Sequence, residues 1–135
     1  MDDAFVVGVQ AIVADVAGRY LFVQRARDYG TGLWCFPGGR LQKGESLASC
    51  AMRELWEEAG LVAHSTSIAA VADARPESNH HLQIGMLIPD WSGEPRVVDP
   101  TECRRVGFRT FESVRDELFL PTADLIDKLT SGRIY

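Results

Sequence analysis

The sequence has few cysteines, no long apolar run and no excess of basic residues. Its cysteines, Cys35, Cys50 and Cys103, are odd in number and widely spaced, without a Cys-x-x-Cys pair. This pattern argues against a disulfide framework and a zinc site, and it favours buried thiols in a reducing cytoplasm. No apolar stretch approaches the roughly 20 residues of a membrane-spanning helix. The start of the chain lacks the basic residues of a signal peptide. We therefore predict a cytoplasmic protein without a membrane partner.

The shortage of basic residues also limits the possible ligands. The chain has 14 Lys and Arg against 19 Asp and Glu, a formal net charge of −5. That balance argues against a nucleic-acid polymer held on a basic face. A small phosphate-bearing ligand remains compatible with it, provided that cations bridge the phosphates to the protein. At 135 residues the chain is long enough for one domain with a real core, so we predict a single domain over 1–135.

Short apolar and β-branched runs alternate with turn residues along the chain. They predict strands over 5–13, 20–24, 33–36, 67–74, 82–88 and 106–110, with a weaker candidate over 96–98. The first two strands are spaced as a hairpin around the turn at 15–18. Pro37, Gly38 and Gly39 are expected to stop the third strand, since proline lacks a donor and glycine permits positive φ. Helices are predicted over 46–59 and 121–129, and the order of elements favours an α+β domain with α/β/α layers.

The first of these helices carries an unusual group of carboxylates. Glu54, Glu57 and Glu58 fall within little more than one turn, and like charges this close repel each other. On a helical wheel they form a polar face apart from the apolar positions Ala48, Ala51, Met52, Leu55 and Ala59. Arg53 precedes Glu57 by four residues and can pair with it, but one arginine cannot neutralise three glutamates. Magnesium, which prefers oxygen ligands, can do so together with substrate phosphates.

The spacing around this helix resembles that of a known family. Gly39 is followed after five residues by Glu45, and after seven more by Arg53-Glu54-Leu55-x-Glu57-Glu58-x-Gly60-Leu61. This stretch is similar at every fixed position to the Nudix box of the MutT/Nudix hydrolases. The resemblance implies an α/β/α sandwich with a mixed central sheet, on which the box forms a loop–helix–loop.

The resemblance also implies roles for the residues of the box. Members of the family mostly hydrolyse a nucleoside diphosphate linked to a further group, using Mg²⁺ or Mn²⁺. By analogy Glu54, Glu57 and Glu58 would hold the metal, and Glu54 would be the favoured general base. Glu45 would assist in orientation and Arg53 would hold the glutamates in place. Gly38 and Gly39 would let the backbone approach the carboxylates closely.

Residues outside the box are expected to choose the substrate. Arg25 occupies the place of a phosphate-contacting arginine in many members, and Arg27 is less well placed. Trp34 and Phe108 are candidates for stacking on a base. Glu94 or Glu102 could supply a further metal ligand, although surface positions are commoner for glutamate. His80 and His81 precede a strand and form no metal motif by themselves.

The flanking segments resemble those of the (deoxy)nucleoside triphosphate pyrophosphatases. The match is incomplete, because the aromatic and acidic positions of that subgroup's base pocket fall here on Arg104, Val106 and Gly107. The main expectation is hydrolysis of a nucleoside triphosphate to a monophosphate and pyrophosphate. The alternatives are a nucleotide-sugar or ADP-ribose pyrophosphatase, suggested by similarity of PGGRLQKGES to GDP-mannose mannosyl hydrolases, and a nucleotide sensor without turnover. Many relatives form homodimers, and this is a possible partner of the chain.

Overall fold

The computed structural model describes residues 6–74 and 80–135. Its strands are β1 (Val6–Ile12), β2 (Tyr20–Arg25), β3 (Trp34–Cys35), β4 (Gly38–Arg40), β5 (Val62–Ala63), β6 (Ser67–Ala74), β7 (His81–Leu87), β8 (Trp91–Ser92) and β9 (Cys103–Arg109). Its helices are α1 (Leu47–Ala59), the one-turn α2 (Phe111–Val114) and α3 (Leu120–Ser131), with a short 3₁₀ helix (Arg115–Glu117) after α2.

The central sheet is mixed, as predicted. Its strand order is β4-β1-β7-β6, with β1 parallel to β7 and the other pairs antiparallel. The strand β1 lies between two neighbours, and it is apolar except at Gln10 because both faces of most of its length are covered. A second sheet has the order β3-β2-β9, and β5 pairs with β8 in a two-stranded ladder.

The predicted hairpin of the first two strands is right at its turn and wrong along its length. Gly18 adopts a φ of 80° in the turn, where the Asp15 side chain accepts hydrogen bonds from the backbone of Ala17 and Arg19. Only the base of the turn is paired, through Ala14 and Tyr20. Beyond it β1 and β2 enter different sheets, and this divergence leaves space between the sheets.

Helices cover the two faces of the central sheet. The apolar side of α1, with Leu55 at its centre, packs on Val9 and Ala11 of β1. On the opposite face Leu125 and Ile126 of α3 pack against Ile12 and the strand β6. This arrangement confirms the α+β class and the α/β/α layers.

The ends of α1 follow from the sequence. The Ser46 hydroxyl accepts a hydrogen bond from the Ser49 backbone N–H at 3.0 Å and caps the helix. Gly60 ends it with a φ of 73°, a left-handed conformation that glycine adopts at little cost.

Several predicted boundaries need correction. The third strand does end before Pro37, as predicted, but Gly38 and Gly39 then form β4 in the central sheet, and neither has a positive φ. Residues 96–98 form a loop rather than a strand, and the Arg96 backbone N–H donates to the Ala59 carbonyl at the end of α1. The helix α2 was not predicted, and residue 5 of the first predicted strand lies outside the described residues. No helix in the described part of the chain is long and apolar enough to cross a membrane.

Candidate active site

A cleft of about 320 Å³ opens between the central sheet and the segment that follows β2. Alternate residues of β1 and β7 face the same side of the sheet and form its floor, among them Gly8, Gln10 and Gln83. Arg25, Arg27, Tyr29 and Phe119 form the opposite wall, and one end of the cleft is formed by Gly38, Gly39 and Arg40. The volume falls in the range of small-molecule sites.

Two carboxylates of α1 are buried against the glycines of β4 that line one end of the cleft, although neither carboxylate lines the cleft itself. Glu54 and Glu58 are 9% and 7% exposed, whereas the Glu57 side chain is 52% exposed. The predicted polar face is therefore wrong for two of the three glutamates. At about 100° per residue Glu58 lies only about 20° from Ala51, within the packed side of the helix. Treating the three glutamates as one face of the helical wheel hides the difference between the buried Glu54 and Glu58 and the exposed Glu57.

The backbone of β4 lies directly against these carboxylates. The Gly38 backbone N–H donates a hydrogen bond to Glu58 Oε1 at 2.8 Å. A Cβ atom on Gly39 would lie 2.5 Å from Glu54 Oε1, closer than van der Waals contact allows. Gly39 is thus required by its close approach to Glu54, whereas a Cβ on Gly38 would meet the Val9 carbonyl oxygen of β1.

Burial sets the protonation of the two carboxyl groups. Burial raises the pKa of Glu58 to about 8; the Gly38 N–H opposes this rise and the charge of Glu54 adds to it. The pKa of Glu54 is also raised, mainly by burial, against the opposing charge of Arg53. Without a cation, these side chains are costly to ionise where they lie.

Arg53 holds the acidic group together. Its guanidinium contacts Glu45 through two hydrogen bonds of 2.7 and 3.0 Å and Glu54 through one of 2.8 Å. A further bond of 3.2 Å reaches Glu57, which confirms the predicted ion pair. Hydrogen bonds from Arg53, and then from the Gln42 backbone N–H, lower the pKa of Glu45 to about 2. Glu45 is therefore ionised and fixes the guanidinium fork.

The donor atoms suit a hard divalent cation, although they are not yet gathered around one point. Within residues 6–74 and 80–135, no three His, Cys, Asp or Glu side chains already form a group that could hold a metal ion. Glu54 and Glu58 offer buried carboxylate oxygens whose ionisation a cation would favour. Glu57 is turned toward solvent and Arg53, so its participation requires a change of side-chain conformation.

Both arginines that follow the second strand line the cleft, including the one considered less well placed. Arg25 donates from Nε to the Tyr29 carbonyl at 2.8 Å, and its guanidinium lies 4.2 Å from the centre of the Phe119 ring. Arg27 Nε lies 2.9 Å from Glu102, and its Nη2 lies 3.9 Å from Glu58. Glu102 is thus joined to the acidic group through Arg27, whereas Glu94 lies exposed in a loop.

The two aromatic candidates do not lie in the cleft, so their predicted stacking is corrected. Trp34 is 6% exposed in the core on the α3 side, with the Arg109 guanidinium 4.4 Å from its ring centre. Phe108 packs on Trp91 at a ring distance of 5.5 Å. In β3 it is Cys35, the neighbour of Trp34, that faces the cleft, since successive residues of a strand point to opposite faces.

All three cysteines are free and buried, as predicted. Burial, and next the charge of Glu58, raises the pKa of the Cys35 thiol to about 12. A thiol with so high a pKa is a poor nucleophile. Cys35 therefore contributes a small apolar surface to the cleft.

A buried series of hydrogen-bonded polar groups, which includes two residues of the cleft floor, was not predicted from the sequence. Phe36 N–H donates to Thr122 Oγ1 at 3.3 Å, and the Thr122 hydroxyl donates to Gln10 Oε1 at 2.6 Å. Gln10 Nε2 then donates to Gln83 Oε1 at 3.1 Å. A signal was present, since each glutamine interrupts an otherwise apolar strand. His81 also lines the cleft, whereas His80 is half exposed and contacts Asp73.

Fold and site together define a class of protein: an α/β/α domain with an acidic helix, braced by arginine, at one end of a ligand-sized cleft. The NUDIX domain family model matches residues 4–129 of the chain. The chain therefore belongs to the Nudix hydrolase family.

Individual relatives agree with this assignment. The crystal structure of a MutT NUDIX hydrolase from Burkholderia pseudomallei is 26% identical, covers 94% of this chain and 99% of its own, and has a TM-score of 0.86. An RNA pyrophosphohydrolase of Teredinibacter turnerae is 41% identical over 69 residues, 51% of this chain and 39% of that protein.

A bifunctional NMN adenylyltransferase/ADP ribose pyrophosphatase from Francisella tularensis, complexed with AMP and a manganese ion, shares the fold. Its TM-score is 0.77 at 23% identity, over 96% of this chain and 42% of that one. The chain aligns with less than half the length of the curated relatives that it matches.

Proposed function

We propose that this chain hydrolyses a phosphoanhydride bond of a nucleotide with the help of Mg²⁺ or Mn²⁺. The favoured reaction converts a nucleoside or deoxynucleoside triphosphate to the monophosphate and pyrophosphate. The observation that carries this proposal is the buried pair Glu54 and Glu58 at the end of a cleft whose wall bears Arg25 and Arg27. A single-domain enzyme over 1–135, a cytoplasmic location and a homodimer remain predictions.

The acidic group would hold the cation. Glu54 and Glu58 supply oxygen ligands, and Glu57 joins them when its side chain turns from Arg53. When bound, a divalent cation supplies neutralisation of the diphosphate charge and a water of lowered pKa. Among the box glutamates, Glu54 is the favoured group to accept the proton of the attacking water.

The remaining polar residues would bind and orient the substrate. Arg25 and Arg27 lie on the wall opposite the floor, where their guanidinium groups can bind the phosphates. The backbone N–H of Gly38 keeps the Glu58 carboxylate in place, and Arg53 does the same for Glu54 and Glu45. Their fixed positions favour catalysis because the donors need not reorganise during the reaction.

Hydrolysis of ADP-ribose or a nucleotide sugar is the second candidate. It is favoured by the fold shared with the ADP ribose pyrophosphatase of Francisella tularensis and by the similarity of the box loop noted above. A third possibility is binding without turnover, against which the complete set of box residues argues.

The test is a panel of nucleoside triphosphates, ADP-ribose, nucleotide sugars and dinucleoside polyphosphates, incubated with the protein and Mg²⁺. Product identification by chromatography distinguishes pyrophosphate release from monophosphate release. Ligand binding without product on the whole panel would favour the sensor and contradict the enzyme.

Glutamine substitutions test the residue roles. Glu54→Gln, Glu57→Gln and Glu58→Gln are each expected to lower kcat by about a hundredfold or more, since each removes a charged metal ligand. Glu117→Gln, at an exposed position in the 3₁₀ helix, is the matched control. Turnover within about threefold of wild type for all three box variants would contradict the proposed metal site.

A further inference from the structure

We propose that Gln83 selects substrates by the hydrogen-bonding edge of their base, preferring a carbonyl oxygen over an amino group. This inference deepens the proposed function and rests on the chain acting on nucleotides. It is carried by the buried chain of hydrogen bonds from Phe36 to Gln83, which fixes the direction in which the Gln83 amide presents its atoms.

The direction is set by a donor that cannot reverse. The Phe36 backbone N–H can only donate, so Thr122 Oγ1 accepts at that bond. Thr122 is fully buried, and its hydroxyl hydrogen has one acceptor among the described residues, Gln10 Oε1 at 2.6 Å. Since a buried hydroxyl left without an acceptor is costly, Gln10 must direct its oxygen toward Thr122.

The second amide follows from the first. With its oxygen toward Thr122, Gln10 directs Nε2 toward Gln83 and donates to Gln83 Oε1 at 3.1 Å. One lone pair of Gln83 Oε1 is therefore taken within the protein, whereas both N–H donors of its Nε2 group are left for a ligand. No residue of the described chain accepts a hydrogen bond from Gln83 Nε2, although Gln83 is only 6% exposed.

The neighbouring strand gives a ligand access to this amide. Gly8 pairs with Gln83 in the sheet, and a Cβ atom on Gly8 would lie 2.5 Å from Gln83 Oε1 and 2.6 Å from Nε2. The absence of a side chain at Gly8 thus leaves the amide uncovered on the floor of the cleft. The glycine and both glutamines line the cleft.

The floor suits the uncharged end of a nucleotide. The formal charges around the cleft belong to the arginines and to the carboxylates beside β4, whereas Gly8, Gln10 and Gln83 carry none. The strand β4 is separated from β7 by β1, about 10 Å at the usual strand spacing. Phosphates bound near β4 and the arginines therefore leave the base to reach the floor near β7. An N–H donor there pairs with a carbonyl and opposes an exocyclic amino group.

Matched substrate pairs test this polarity. Inosine triphosphate has a carbonyl group at the ring position where adenosine triphosphate has an amino group. Uridine and cytidine triphosphates differ in the same way. In at least one pair, we expect wild-type kcat/KM to favour the carbonyl member by about tenfold to a hundredfold, the effect of one unpaired buried donor. Equal kcat/KM within about threefold in both pairs, or preference for the amino member, would overturn the inference.

Variants of the amide chain separate this effect from general damage. Gln83→Leu is expected to reduce the preference to within about threefold, and Gln83→Glu, which presents only acceptors, to shift it toward the amino member. Thr122→Val removes the hydroxyl that sets the direction and should also reduce the preference, whereas Thr122→Ser should keep it. A preference that survives in Gln83→Leu would overturn the inference.

A binding assay keeps this inference distinguishable from the proposed function. Calorimetric titration with inosine, adenosine, uridine and cytidine monophosphates requires no turnover. Tighter binding of a carbonyl member without hydrolysis of any triphosphate would support the role of Gln83 and contradict the enzyme. Hydrolysis of a triphosphate with equal binding of both monophosphates in each pair would support the enzyme and contradict the role of Gln83. No binding of any monophosphate would overturn the role of Gln83.

Discussion

At the scale of single residues, the site depends most on side chains that are missing. Gly38 and Gly39 have ordinary negative φ values, so their conformation would permit other residues. What excludes a larger residue is the space: a Cβ on Gly38 would meet the Val9 carbonyl oxygen, and one on Gly39 would meet the Glu54 carboxylate. Gly38 therefore protects the backbone pairing of β4, and Gly39 protects the position of the Glu54 carboxylate.

This difference predicts separate effects of two alanine substitutions. Gly39→Ala should lower kcat by about tenfold or more with little loss of stability, because the flexible end of Glu54 can move away but then leaves its functional position. Gly38→Ala should lower the free energy of unfolding as well, by about 1–3 kcal/mol, because the backbone of β1 cannot yield so easily. Thermal unfolding and steady-state kinetics on both variants measure the contrast.

Gly107→Ala on β9 is the matched control, because a Cβ there would meet no atom within 4 Å. It should keep both stability and activity. Equal kinetics for Gly39→Ala and Gly107→Ala would show that close approach of β4 to Glu54 is not needed.

At the scale of elements, the helix α1 shows what a sequence can and cannot predict. Its end after Ala59 and the pairing of Arg53 with Glu57 follow from local spacing and are confirmed, and the Ser46 cap is an equally local feature that was not predicted. The wheel position of Glu58 near Ala51 indicates its burial, but the contacts of Glu54 and Glu58 with β4 could not be predicted from the helix alone, because β4 covers them from outside it. The contact of Arg53 with Glu45 likewise depends on the fold of the loop before the helix.

Strands show the same division between local and distant causes. Hydrophobic patterns located most of the strands to within a few residues. They could not show that β1 and β2 separate after their turn, because that depends on which strands pair with each. The wrong prediction that Trp34 and Phe108 stack on a base has the same origin. Their aromatic character suggested stacking, but the face of the sheet on which each side chain lies determines what it contacts.

The brace of α1 gives a prediction at this scale. Arg53→Lys keeps the positive charge but loses the planar fork that binds Glu45 by two bonds while reaching Glu54 and Glu57. We expect kcat to fall by about tenfold to a hundredfold, as for other residues that orient metal ligands. The apparent affinity for Mg²⁺, measured by titration of activity, should fall with it. Arg115→Lys at an exposed position is the control, and an unchanged Mg²⁺ affinity in Arg53→Lys would contradict the bracing role.

At the scale of the whole molecule, the cleft exists because two sheets diverge from one turn. The gap between them is bounded by β1 and β7 on one side and by the segment after β2 on the other. The α1 layer brings carboxylates to one end, and the α3 layer brings Thr122 behind the floor. The α1 carboxylates and the glutamine floor of the cleft are therefore supported by helices on opposite faces of the sheet.

The buried acid also couples this site to the stability of the fold. In the absence of a cation, Glu58 has a folded-state pKa of about 8, above its ordinary value of 4.5. Between these two values the folded protein retains a proton that the unfolded chain has released. The free energy of unfolding should therefore fall as pH rises from about 5 to about 8 in chelator-treated protein.

Substitution of Glu58 isolates this contribution. The amide side chain that Glu58→Gln introduces cannot ionise but can still accept the Gly38 N–H. Chelator-treated Glu58→Gln should therefore become more stable than wild type as pH rises, by on the order of 2–4 kcal/mol at pH 8. Adding Mg²⁺ at about a thousand times its Kd should reverse the order, since a cation that binds only the folded state then stabilises wild type by about 4.1 kcal/mol. Urea unfolding at pH 5, 6.5 and 8, with chelator or with Mg²⁺, measures both effects, and Glu117→Gln is the control.

Two outcomes would contradict these expectations. A stability difference between Glu58→Gln and wild type that does not change with pH would show that the Glu58 carboxyl ionises freely in the fold. If Glu58→Gln stays the more stable protein in Mg²⁺, Glu58 is not a metal ligand.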